Sequence, residues 1–246
     1  MILGSLPFLV LLVAWAAFTE TRSVSPIFLP RLGTIAGALT RAFTAENMLV
    51  DVAHSAFRII SGFLVAAALA LPIGLWAGAS KTAEALVEPF MDFVRYLPVP
   101  AFIPICILWF GLGDLEKVVV IFLGTFFSLV LMVAAEVSRV PREYLEAAYT
   151  LGATEREVFG GVLLRGALPG IVDSLRITIG WAWTYLIVAE LVGATSGIGY
   201  AIIKAQRYML IDTLFASMAV IGVLGIATDF LFRGVYRLLF PWSEKR

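Results

Sequence analysis

The sequence predicts an all-α polytopic membrane protein with about six transmembrane helices. Three observations point there. Of 246 residues, 61% are hydrophobic and only 15% charged, whereas soluble domains carry roughly 45–50% apolar and about 25% charged residues. The mean hydropathy is +0.95. The apolar residues also gather into uncharged runs about as long as a bilayer is thick, separated by shorter charged stretches.

The first run, residues 1–19, carries no charge. Ala14-Trp15-Ala16 resembles a signal-peptidase site, but the positive charge that opens a signal peptide is missing, so the run reads as a retained first helix. Residues 20–51 form a polar connection with Arg22, Arg31, Arg41, Pro26 and Pro30, and with an amphipathic helix expected near 32–43. Residues 59–80 are an uncharged span that contains Pro72 and Gly74, tolerated where neighbouring helices re-satisfy the freed backbone groups. Residues 86–112 are apolar but interrupted by Pro89, Asp92, Arg95, Pro98, Pro100 and Pro104, which predicts a short helix, a bend and a second helix ending near Gly111. Residues 118–135 are a clean span. Residues 177–194 are apolar except for Glu190, and residues 213–232 except for Asp229. An even number of spans puts both termini on one side. Placing the 136–176 loop and the C-terminus in the cytoplasm leaves about eleven Lys and Arg inside and about seven outside.

Composition excludes several classes of function. A formal net charge of zero argues against a nucleic-acid surface. One cysteine, Cys106, and one histidine, His54, cannot make an internal disulfide or a metal cluster. No GxxxxGK[ST] phosphate loop is present, so the chain does not hydrolyse ATP itself. Nothing marks a second domain, and residues 1–246 read as one transmembrane unit.

The most informative stretch is 138–169. Pro141 suits a first helical turn, Arg142 to Leu151 are mostly good helix formers, and Gly152 fits the left-handed position just past a helix end. Thr154 and Glu157 form a capping box that starts a second helix with an apolar stripe of Val158, Phe159, Val162 and Leu163. Pro169-Gly170 is expected to end that helix before the next span. Two short helices meeting at a glycine between two spans must pack on something, which makes the unit a candidate docking element for another protein.

Glu146-Ala147-Ala148, then Gly152, then Val162 resembles the EAA loop of binding-protein-dependent ABC importer permeases. The family pattern has Ile where Val162 stands and Pro where this chain has Arg165. Arg95-Tyr96-Leu97-Pro98-Val99-Pro100, the run from Leu108-Trp109-Phe110 to Gly113, residues 181–190 and the segment from Gly193 to Tyr200 are similar to the nitrate, sulfonate, taurine and bicarbonate branch. The resemblance implies a type I ABC importer permease fold. It also implies a homodimer, two ATP-binding subunits carrying ATP and Mg, and a periplasmic or lipid-anchored substrate-binding protein, in a bacterial inner membrane. This chain would bind no cofactor. Glu146, Ala147, Ala148, Gly152, Thr154 and Val162 would then couple to the ATPase, and the solute would be a small organic or inorganic anion.

Trp109, Thr125, Ser128, Trp181, Thr184 and Glu190 are candidates for the translocation pathway or its gate, because they are polar or aromatic residues in spans expected to line a pore. Glu190 is the sharpest, since a carboxylate inside a span is costly and normally faces the bundle interior with a partner. Ser and Thr also serve as helix-packing residues, and Trp as an interfacial anchor. No buried Lys or Arg stands out as an anion ligand. His54, beside Asp51 and Arg58, reads as a hydrogen-bonded interfacial residue, Asp229, close to Arg233, as interfacial, and 193–199 as a flexible extracytoplasmic turn. A secondary transporter or channel working without an ATPase is the alternative, although internal repeats and several midplane charges would be expected of it. An integral membrane enzyme would need clustered His, Asp or Cys that the chain lacks.

Overall fold

A computed structural model describes residues 2–21 and 24–241. Its elements are helices: α1 (Ile2–Glu20), α2 (Leu32–Ala45), α3 (Met48–Ala79), α4 (Lys81–Arg95), a 3-10 turn (Val99–Phe102), α5 (Ile103–Phe110), α6 (Asp114–Ser138), α7 (Arg142–Thr150), α8 (Glu155–Glu157), a π turn (Val158–Leu163), α9 (Leu164–Glu190), α10 (Ile198–Arg207) and α11 (Ile211–Leu239).

Four helices are long and apolar enough to cross a membrane: α3, α6, the continuous rod Glu155–Glu190 and α11. The bent pair Lys81–Arg95 and Val99–Phe110 makes a fifth if taken as one span, its two halves inclined by 85°. Pro98 and Pro100 stand at that bend, as the sequence predicts. The sixth expected span is helical as α1, and Leu9–Glu20 within it is an apolar helix among the described residues. The amphipathic helix near 32–43 is found as α2.

The centre of the bundle is the α3–α6 pair. In a membrane there is little hydrophobic gain from bringing two helices together, so small residues that allow close backbone approach decide which faces meet. Gly62, Ala66, Ala70, Gly74 and Gly78 recur every four residues along α3 and therefore share one face. A Cβ added at Gly74 would sit 2.7 Å from the Val130 carbonyl oxygen, and one at Gly78 2.6 Å from that of Ala134. Leu129, Val130, Val133 and Val137 of α6 are completely or almost completely buried against this stripe. On the other side of α6, α9 contributes Ile179, Ala182, Trp183 and Leu186 to a second cluster shared with Ile59, Phe63 and Ile121. α1 is tied on by Trp15, whose Nε1 donates to the Pro30 carbonyl at 2.9 Å and whose ring meets Phe215 edge-on.

One boundary expectation fails. Pro169 does not end the second short helix but lies inside α9. The chain runs from the Thr154 cap through α8 and the π turn into the span as one 36-residue rod, about 54 Å long at 1.5 Å per residue. A proline inside a membrane helix is accommodated by its packed neighbours, so Pro169 carries no stop signal here.

Candidate functional site

Two places in the bundle carry chemistry, at opposite ends of α9. The first is the helix–glycine–helix between α6 and α9. The end of α7 is closed by a Schellman pair: Ala153 N–H donates to the Ala148 carbonyl at 3.1 Å and Gly152 N–H to that of Tyr149 at 2.9 Å. This closure needs a left-handed residue, and Gly152 has φ +86°. A Cβ at Gly152 would meet nothing within 4 Å, so backbone conformation rather than lack of space selects glycine. After it, Thr154 N–H and Oγ–H both donate to Glu157 Oε2 at 2.8 Å, the reciprocal contact of the predicted capping box.

Glu146 and Ala147 are exposed on α7, Ala148 is half-buried, Thr154 is exposed and Val162 lies half-buried in the π turn. The predicted apolar stripe is split: Val158 is buried but Phe159 is 41% exposed. Around it Tyr144, Tyr149 and Leu151 are exposed at 62, 51 and 87%. A short helical unit thus presents an apolar surface that the chain itself does not cover.

The second place is a buried polar network at the far end of α9. Glu190, fully buried, accepts from Arg58 Nη1 at 2.6 Å, from Ser55 Oγ at 2.8 Å and from Gly199 N–H at 2.7 Å. Arg58, with 3% of its side chain exposed, also pairs with Asp114 at 2.6 Å and donates to the Ser196 carbonyl at 2.7 Å. Asp51 accepts from Gly197 N–H at 2.7 Å, and Ser55 Oγ from Ile198 N–H at 2.9 Å. Residues from α3, α6, α9 and the start of α10 therefore meet in one knot.

This knot corrects two expectations. The buried cations Arg58 and Lys117, 3% and 1% exposed, are each committed to a carboxylate, Arg58 to Glu190 at 2.6 Å and Lys117 to Glu116 at 2.9 Å. The segment 193–199 is not a flexible turn, because three successive amides are held by side chains. His54 makes no hydrogen bond or ion pair among the described residues, since Asp51 and Arg58 beside it are engaged with Gly197 and Glu190. Asp229 pairs with Arg233 at 2.7 Å and also with Arg176 of α9.

A cleft of about 450 Å³ lies between α4, α6 and α9, with Glu84, Glu88, Asp92, Arg95, Ser128 and Trp181 among its lining residues. Along α4, Glu84, Glu88 and Asp92 face this cleft, whereas Leu86, Phe90 and Phe93 are exposed outside it. α4 thus offers carboxylates to the cleft beside Val87 and Met91, which pack on the α3–α6 core, and turns an apolar side outward, as suits a helix between a wet interior and lipid. Of the six pathway candidates, only Ser128 and Trp181 meet at the cleft. Thr184 is exposed elsewhere on α9, and Trp109 is 72% exposed at the end of α5. Thr125 is fully buried with its hydroxyl donated to the Ile121 carbonyl at 2.8 Å, and Glu190 belongs to the knot.

Residues 70–245 match the family described as binding-protein-dependent transport system inner membrane component. The chain is 32% identical over 240 residues to the taurine transport system permease protein of Escherichia coli (strain K12), covering 95% of this chain and 86% of that one. It is 32% identical over 235 residues to the putative aliphatic sulfonates transport permease protein of Bacillus subtilis (strain 168), covering 96% and 85%. The fold is similar to a chain of the inward-facing MetNI methionine ABC transporter, with a TM-score of 0.68, 21% identity, and coverage of 78% of this chain and 95% of that one.

Proposed function

Because the chain belongs to the family of binding-protein-dependent transport system inner membrane components, we propose that two copies pair to form the translocation pathway of an ATP-driven importer for small sulfonate-type or related anions. The family level is plain: this is the membrane permease subunit of an ABC importer, non-catalytic itself, with ATP hydrolysis on a separate subunit. The family also works with a substrate-binding protein.

The observation that carries the reading is the unit around Gly152, with its uncovered apolar surface at Tyr144, Tyr149 and Leu151. In our reading it docks in the ATPase, with Glu146 as a charged anchor and Ala147 and Ala148 allowing close backbone approach. Gly152 sets the angle between α7 and the capped start of the α9 rod, so displacement of the docked unit is delivered to the span. ATP binding closes the ATPase pair and opens the pathway outward, and hydrolysis reverses it. Such coupling requires contacts that differ between the two states. Ser128 and Trp181 line the solute path, and the termini lie on the ATPase side. The taurine and sulfonate names of the relatives support the choice of solute.

The test is reconstitution of the chain with its ATPase and binding protein in liposomes, followed by ATP-dependent uptake of labelled taurine, ethanesulfonate and nitrate. Uptake by the chain alone, driven by an ion gradient, would refute the reading.

A further inference from the structure

We propose that the Arg58–Glu190 pair is the positioning link that makes segment 193–199 follow the coupling unit at the other end of α9. The proposal rests on the importer reading and adds to it the route by which one face of the protein senses the other.

The rod Glu155–Glu190 begins at the capping box, three residues after Gly152, and its last residue is the buried carboxylate. A helix of this length transmits displacement along its axis, so a shift imposed at Thr154 arrives at Glu190. What Glu190 touches decides where that shift goes. It holds Gly199 N–H directly at 2.7 Å. Through Arg58 it holds the carbonyl of Ser196 at 2.7 Å and its hydroxyl at 3.0 Å. Through Ser55, which donates to Glu190 at 2.8 Å, it is joined to Ile198 N–H at 2.9 Å. Gly197 N–H is taken by Asp51, one turn before Ser55 on α3. The Ser196 carbonyl and the amides of 197 to 199 are therefore held by side chains of α3 and α9.

Burial gives the link its stiffness. Ser55 and Glu190 are fully buried and Arg58 nearly so. A buried polar group that loses its partner is left without water to replace it, so the network moves as a unit or pays for separation. Gly197 has φ +110°, and a Cβ there would sit 2.6 Å from Arg58 Nη1, so the segment fits closely around the guanidinium. Beside the held stretch 196–199, Leu191, Val192 and Thr195 are exposed at the end of the bundle opposite the coupling unit. Those are the residues whose position the link sets.

The experiment is hydrogen–deuterium exchange on the complex of the chain with its ATPase in nanodiscs, comparing ADP with ATP plus vanadate. Wild type is expected to change exchange at amides 197–199 by about fivefold or more between the two states, the low end of ordinary allosteric coupling. Glu190→Gln and Arg58→Gln are expected to lose that response while peptides 142–157 still respond, and Arg58→Lys to recover part of it. A merely structural clamp would instead raise exchange at 197–199 equally in both nucleotide states and leave the difference between them intact. That outcome, or a wild-type response confined to 142–157, overturns the link. Failure of the wild-type chain to hold the ATPase overturns the importer reading itself and is seen before any variant is compared.

Discussion

The guanidinium of Arg58 and the carboxylate of Glu190 meet at 2.6 Å with side chains 3% and 0% exposed, although 132 residues separate them in the chain. Such a pair is a poor source of net stability, because desolvating both charges cancels most of their attraction, but removing one partner strands the other. Single substitutions Arg58→Met and Glu190→Leu are each expected to destabilise the protein by about 3–5 kcal/mol. The double variant should cost less than the sum by about 1–3 kcal/mol. Thermal unfolding of the four proteins in detergent checks this, and strict additivity would contradict it.

Alanine at two glycines should behave very differently. At Gly152 the penalty is conformational alone, about 1–2 kcal/mol for a left-handed residue with open space around it. At Gly197 the same conformational cost is joined by a clash with Glu190 Oε1 and Arg58 Nη1. Gly197→Ala is therefore expected to lower the unfolding temperature clearly more than Gly152→Ala.

Gly152→Pro and Glu146→Lys are expected to leave the chain membrane-inserted while abolishing the ATPase stimulation that accompanies transport. Proline cannot adopt the positive φ of Gly152, and lysine reverses the anchor on α7. Membrane fractionation and ATPase assays on the reconstituted complex separate the two effects, and normal uptake in both variants would count against the docking role.

Loss of the capping box should be local. Thr154→Ala removes the hydroxyl that donates to Glu157 at 2.8 Å, and Glu157→Ala the acceptor shared by the Thr154 amide. Each is expected to cost about 0.5–2 kcal/mol and to speed amide exchange across 155–163 while leaving α3 and α6 protected. Exchange that rises across the whole bundle would show that the rod is held by its cap more globally than this.

Much of the helix–glycine–helix was legible because its signals are local. A left-handed glycine, a Thr-x-x-Glu box and a proline-marked bend are written within a few residues of where they act. The knot was not legible for the opposite reason. Arg58, Asp114, Glu190 and Gly199 come from four different elements, and only tertiary packing brings them together, so Arg58 entered the reading only as a neighbour of His54 and 193–199 as a loose turn. Pro169 was misread because the rule that ends helices at proline belongs to water, where freed backbone groups have no packed neighbours. Nothing in the sequence announces the π turn at Val158–Leu163. The pathway candidates scattered because residue type alone does not say which side of a helix faces a cleft.

The α3–α6 contact has one more consequence. Where glycines let a helix rest on its neighbour's carbonyls and on the stems of Ile121, Val133 and Val137, only main chain and stiff β-branched side chains meet there, and relative rotation has little to swing aside. The seam is a weld, and the pair is a keel against which other parts turn. Relative movement of the helices is then easiest where the backbone breaks outside the rods: at 96–102 and at the glycine corner 151–153.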